Sequence, residues 1–161
     1  GYVKQQKGEV IVAPIVGRSA DYWWQQFTIG RGSQDGIKEG FVVTGVGGLV
    51  GKITEVTPNT SRVLLISDPT SRVGVMMSRT RHLGVIQGEG SKEVVMRFFD
   101  KVSDVKEGDL VTTSSVSQRY PAGFPVGKIK SINLTTGPAP EAVVELTAPL
   151  SYLEWVVIHP H

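Results

Sequence analysis

Short runs of alternating apolar and polar residues, separated by turn-forming residues, recur from one end of the chain to the other. This is the period-two pattern of half-buried strands. The runs cover 10–16, 22–30, 41–44, 49–57, 62–66 and 73–78 in the first half. In the second half they cover 83–87, 94–99, 110–112, 126–134, 142–147 and 153–158. Pro14 interrupts the first run and places it at an edge or a bend. Residues 17–21 are expected to turn the chain. The next run carries Trp24 and Gln26 on one face, with Trp23, Phe27 and Ile29 nearer the other. Turns are expected at 57–61, at 67–71 (with the composition of a helix cap), at 88–91 and at 133–140. About six strands fall in each half.

The pattern is duplicated. Asp35-Gly36-Ile37-Lys38-Glu39-Gly40-Phe41-Val42-Val43-Thr44 runs in step with Ser103-Asp104-Val105-Lys106-Glu107-Gly108-Asp109-Leu110-Val111-Thr112, at a separation of 68. Val50-Gly51-Lys52-Ile53 then matches Val126-Gly127-Lys128-Ile129 at a separation of 76. The eight extra residues sit between Thr112 and Phe124. Gly40 and Gly108 suit a turn position with positive φ. Gly51 and Gly127 interrupt a strand pattern, the mark of a bulge or sharp bend. A long period seen only twice indicates two related units rather than a solenoid.

Composition narrows the class. Nineteen glycines and nine prolines among 161 residues, with many Val, Ile and Thr, oppose a helical fold. The charge of +2, from 17 basic and 15 acidic residues, lacks the excess expected of a nucleic-acid binder. Arg72, Arg79, Arg81 and His82 form the densest basic run, read as a solvated strand edge or turn. There is no cysteine, so disulfides and thiolate metal sites are excluded. No apolar run reaches the roughly 20 residues a spanning helix needs. The chain opens at Gly1-Tyr2-Val3-Lys4 without a signal peptide, and is expected to be a soluble piece of a longer protein.

The candidate chemistry is weak. His82, Asp100 and Ser114 or Ser115 occur in the order of a barrel-type serine protease. Such a protease places His and Asp in its first barrel, however, and His82 begins the second unit. Thr113-Ser114-Ser115-Val116 also lacks the glycines that usually help form an oxyanion hole. His159 and His161 are too terminal to assist. Asp100, Asp104, Glu107 and Asp109 lack calcium-loop spacing and read as solvated turn carboxylates. Gly45-Val46-Gly47-Gly48 precedes a strand rather than a helix, and so reads as a hairpin turn, not a phosphate cradle. No enzyme activity, cofactor or metal is expected.

The inserted loop, 114–124, is the main difference between the copies. Arg119, Tyr120 and Phe124 there are candidates for partner binding; in the alternative, Tyr120 and Phe124 plug a barrel end. Trp23 and Trp24 form a second aromatic candidate, set against a role in the barrel core and its lid.

With these residues in view, the chain resembles the extracytoplasmic β-domain of the rod shape-determining protein MreC family. The matching stretches are Thr28-Ile29-Gly30-Arg31-Gly32-Ser33-Gln34-Asp35-Gly36, Gly48-Leu49-Val50-Gly51-Lys52-Ile53 and Pro58-Asn59-Thr60-Ser61-Arg62-Val63-Leu64-Leu65-Ile66-Ser67-Asp68-Pro69. Gly108-Asp109-Leu110-Val111-Thr112-Thr113-Ser114 and Tyr120-Pro121-Ala122-Gly123-Phe124-Pro125-Val126-Gly127 complete them, in order along nearly the whole chain. Ser115 departs from the family, which more often has glycine there.

The resemblance implies an all-β fold of two small six-stranded β-barrels, related to the chymotrypsin-like barrel but without its catalytic residues, and little helix. It implies a membrane-anchored protein at the periplasmic or extracytoplasmic face of the inner membrane, its single-pass anchor and a coiled coil preceding Gly1. It also implies a scaffold of peptidoglycan elongation that self-associates into dimers or filaments. The implied partners are the elongation-specific penicillin-binding transpeptidase, MreD, RodZ and MreB. Residues 1–78 are expected to form the first unit and 79–161 the second; the strand count is met equally if 148–161 return to complete the first. Self-association is expected through exposed strand edges. The alternative function is a binding domain for cell-wall glycan or a small ligand.

Overall fold

A computed structural model describes residues 9–20, 25–102, 104–115, 120–133 and 140–160. Twelve strands are found there: β1 (Ile11–Ala20), β2 (Gln25–Ile29), β3 (Val42–Gly45), β4 (Gly48–Val56), β5 (Ser61–Leu65) and β6 (Arg72–Met77), followed by β7 (Leu83–Gly88), β8 (Glu93–Phe98), β9 (Leu110–Thr113), β10 (Pro125–Asn133), β11 (Glu141–Leu146) and β12 (Trp155–His159). A 3-10 turn spans Ser33–Asp35; the expected helix cap at 67–71 forms a plain turn instead.

All pairings are antiparallel, and they close two barrels, β1-β12-β3-β4-β5-β2 and β10-β11-β8-β7-β6-β9. The division expected at residue 78 assigns Arg72–Met77 to the first unit, whereas the hydrogen bonding places β6 in the second barrel, between β7 and β9. β12 lies in the first barrel, between β1 and β3. Closure also removes the free strand edges through which pairing with another copy was expected, so contacts with other proteins must use side chains.

The duplicated block builds the same corner twice. Val43 pairs with Gly51 and Thr44 with Leu49, leaving Val50 as the extra residue of a bulge. Val111 likewise pairs with Gly127 and Thr112 with Pro125, leaving Val126 extra. Gly40 and Gly108 sit at φ 89° and 86°, and their N–H groups donate to Ile53 O and Ile129 O at 2.8 Å each. The shared sequence therefore specifies turn, bulge and register together.

Each barrel has its own core, and β3 and β4 lie between the two. Val43, Val50 and Ile53 pack in the first core with Phe27, Ile29 and Val156. Val42 and Leu49, on the opposite face of the same hairpin, pack with Val126, Met96 and Tyr120 of the second. Successive strand residues face opposite ways, so the unbroken apolar run at 41–43 reflects a strand buried on both sides.

Candidate protein-interaction site

The two barrels are joined by a polar seam. The crossing from β5 to β6 turns on Asp68, a buried carboxylate whose Oδ2 accepts the Gln25 N–H at 2.7 Å. Its Oδ1 accepts the Thr70 N–H at 2.8 Å and the Thr70 hydroxyl at 2.6 Å. These charge-assisted bonds satisfy a group that would otherwise be costly to bury. Ser67 Oγ donates to Gln25 Oε1, and Gln25 Nε2 donates to Gly90 O at 2.6 Å, tying β2 to the β7–β8 loop. On the other side Thr147 Oγ1 donates to Gly47 O at 2.6 Å. His159 adds to this contact: its Nε2 lies 2.8 Å from Thr44 Oγ1, and its ring is 5.0 Å from that of Phe124. Burial pushes the His159 imidazole below its ordinary value.

Between the barrels, beside the first of these links, lies a cleft of about 590 Å³. Phe27 and Leu65 come from the first barrel, Leu146 and Ala148 from the end of β11 and the crossover, and Tyr152 stands on the rim. Arg18 is brought there by a bulge. Ile15 pairs with Ile29, but Gly17 pairs with Thr28, so Val16 is extra and the alternation of β1 flips. Arg18 consequently shares the inner face with its cross-strand partner Phe27, holding its guanidinium 5.0 Å from the ring centroid. It donates to Leu150 O at 3.2 Å and to Leu153 O. The expected turn at 17–21 is thus overridden as far as Ala20, because cross-strand bonding to β2 continues past the glycine.

The candidates from sequence are scattered. Tyr120 is 4% exposed in the second core, which takes it off the surface a partner could reach. Phe124 is half-buried, packed between that core and His159. Thr113 holds their loop: it accepts the Phe124 N–H at 2.9 Å on Oγ1 and donates from Oγ1 to Pro121 O at 2.6 Å. Trp23, Trp24 and Arg119 lie outside the described residues. Arg18 and Tyr152, in contrast, attracted no attention in the sequence: one sits in an apparent turn, the other in a short connection.

The protease-like trio does not assemble. The Ser114 N–H donates to Gly74 O, in the middle of β6, whereas the Met77 N–H at the end of that strand donates to His82 O. Three strand residues, about 10 Å, separate the two sites. Ser114 Oγ is buried with no hydrogen-bond partner among the described residues. The acidic group resolves into an ion-pair cluster, in which Arg79 binds Asp104 at 2.9 Å and Asp109 at 2.8 Å. Among the described residues no three His, Asp or Glu side chains are arranged to hold a metal ion.

Two exposed apolar faces remain. Outside the first barrel, Val12 pairs with Val157 and Pro14 with Trp155, and Val12, Val16 and Trp155 are exposed. On the second barrel Leu83, Phe99 and Leu110 are exposed.

Residues 15–160 match the sequence model of the family described as "Rod shape-determining protein MreC, barrel core". The cell shape-determining protein MreC of Escherichia coli is 30% identical over 133 residues, covering 82% of this chain; the chain spans 36% of that relative's length. The crystal structure of MreC from Pseudomonas aeruginosa superposes with a TM-score of 0.87 at 31% identity, covering 93% of this chain and 98% of that one. A complex between a penicillin-binding protein and MreC from Helicobacter pylori matches with a TM-score of 0.69 over 95% of this chain and 100% of that one. At 17% identity it speaks to the fold alone.

Proposed function

Since the chain belongs to the rod shape-determining protein MreC family, we propose that it is a non-catalytic scaffold of the cell-wall elongation machinery. It acts on the extracytoplasmic side of the membrane and organises peptidoglycan synthesis, and hence rod shape, by binding other proteins. The observation that carries this reading is the joining of two closed barrels through β3, β4 and the Asp68 seam. Such a body presents fixed surfaces to several partners at once, which is what a scaffold requires. Family membership leads us to take a transpeptidase of elongation as the first partner; the MreC of the Helicobacter pylori complex is bound to a penicillin-binding protein. MreD, RodZ and MreB belong to the same proposed assembly. Self-association uses the apolar outer face of β1 and β12, since neither barrel has a free edge.

The test is retention of a fluorescent-penicillin-labelled protein from envelope extract on the immobilised chain, paired with sedimentation over a range of concentrations. One penicillin-binding protein should be retained, and the sedimentation coefficient should rise with concentration. A chain that retains none and sediments as a monomer throughout overturns the reading.

A further inference from the structure

The inter-barrel cleft has the chemistry of a peptide site. Its volume of about 590 Å³ falls within the roughly 300–1,000 Å³ typical of ligand pockets. Phe27, Leu65, Leu146 and Ala148 are buried and give it an apolar floor. At its end Gln25 and Ser67 are bonded to one another and to Gly90, so they offer little to a sugar's hydroxyls. Tyr152, 85% exposed, stands on the rim as a large side chain that a docked partner would bury.

Charge selects the occupant further. A guanidinium has five N–H donors, and Arg18 commits two of them to the carbonyls of Leu150 and Leu153. Among the described residues no carboxylate pairs with it. Glu145, the carboxylate lining the cleft, stands 3.8 Å from Lys92. Among the described residues Arg18 is therefore a cation without a carboxylate partner, fixed in direction by Phe27, with donors left to grip one.

We propose that this cleft binds one extended segment of a partner protein, in which an apolar side chain seated over Phe27 and Leu65 stands beside a carboxylate held by Arg18. The inference deepens the scaffold reading, on which it rests, by naming the place and chemistry of one docking event.

The probes are three fluorescein-labelled hexapeptides of alternating residues, Leu with Glu, Leu with Gln and Leu with Lys, followed by fluorescence anisotropy with the whole chain. The Leu–Glu peptide should bind at least tenfold tighter than the other two. Arg18→Glu should reverse the preference towards Leu–Lys, a change that loss of packing alone cannot produce. Tyr152→Ser should weaken Leu–Glu binding severalfold with an unchanged urea midpoint. If Arg18→Glu fails to fold, Arg18→Gln should erase the discrimination between Leu–Glu and Leu–Gln. Equal binding of the three peptides, no binding, or a preference indifferent to residue 18 overturns the proposal. So does saturable binding of muropeptides that Tyr152→Ser abolishes, which would make the cleft a glycan site. A penicillin-binding protein retained equally by wild-type and Arg18→Glu chains removes the cleft as its docking site while leaving the scaffold reading in place.

Discussion

Gly51 and Gly127 are held against the neighbouring strand in the same way. A Cβ at Gly51 would lie 1.9 Å from Leu64 O, and one at Gly127 2.3 Å from Glu145 O. In both cases the obstacle is backbone that sheet hydrogen bonding keeps in place. Gly51→Ala and Gly127→Ala should each destabilise the chain by about 3 kcal/mol, the upper end of overpacking costs. Gly17, whose added Cβ would meet Thr28 at an ordinary 3.4 Å, is the control; Gly17→Ala should change stability by no more than about 0.5 kcal/mol. Urea denaturation of the three variants decides the matter, and equal midpoints would refute it.

Tyr120 and Tyr152 lie at opposite extremes of burial, at 4% and 85% exposed. Tyr120→Ala should cost about 3–5 kcal/mol, the range for a buried aromatic. Tyr152→Ala should stay within about 0.5 kcal/mol. Thermal melts of both would show it; a mild Tyr120 variant would mean that its loop does not close the second core.

The Arg79 guanidinium holds the carboxyls of Asp104 and Asp109 below their ordinary 3.8, chiefly through direct hydrogen bonds. Both carboxyls thus titrate lower in the folded chain than in the unfolded one. Their contribution is complete above about pH 4 and is lost as pH falls through the folded values, because the unfolded chain then binds more protons. Arg79→Gln should lower stability at neutral pH, modestly because Arg79 and Asp104 are solvent-exposed, and should flatten the profile between about pH 4 and pH 2, so that variant and wild type converge in acid. An unaltered acid limb in the variant would contradict this.

His159 works at milder pH. Its imidazole, half-buried against Phe124, is held below the ordinary 6.5 by burial. The unfolded chain therefore takes up a proton first as pH falls, and stability declines from about pH 6.5 downwards until the folded imidazole is also protonated. His159→Leu should remove this slope. Chemical denaturation at pH 7.5, 6.5 and 5.5 would detect it; parallel losses in wild type and variant would exclude His159 as the source.

How much of this was legible follows from the range of each interaction. The corner built by Gly40, Val50 and Gly51 could be read because turn, bulge and strand lie within a few residues and occur twice. The membership of β6 could not, because Arg72–Met77 reads as a strand in either barrel, and only its distant pairing of Val75 with Thr113 decides the matter. Arg18 was hidden by the bulge at Val16, which reverses the alternation without altering composition. For Tyr120 the sequence leaves two readings, a partner-binding side chain or a plug of a barrel end, because an aromatic in a long loop suits either; the structure buries it in the second core. The Thr113 bonds that fold its loop inward are too remote in sequence to leave a local pattern.

Val42 and Val43 test whether the barrels form one cooperative unit. Both are fully buried, yet Val42 belongs to the core of the second barrel and Val43 to that of the first. Removing either side chain's two methyls should cost about 2 kcal/mol, combining lost transfer energy with a small cavity. If β3 couples the cores, Val42→Ala and Val43→Ala should each lower one shared transition by a similar amount, seen alike by circular dichroism and calorimetry. Were the barrels independent, two transitions would appear, and Val43→Ala would shift only that of the first. A scaffold whose surfaces must keep a fixed relation has reason to bury one hairpin on both faces, because loosening either core then loosens the other.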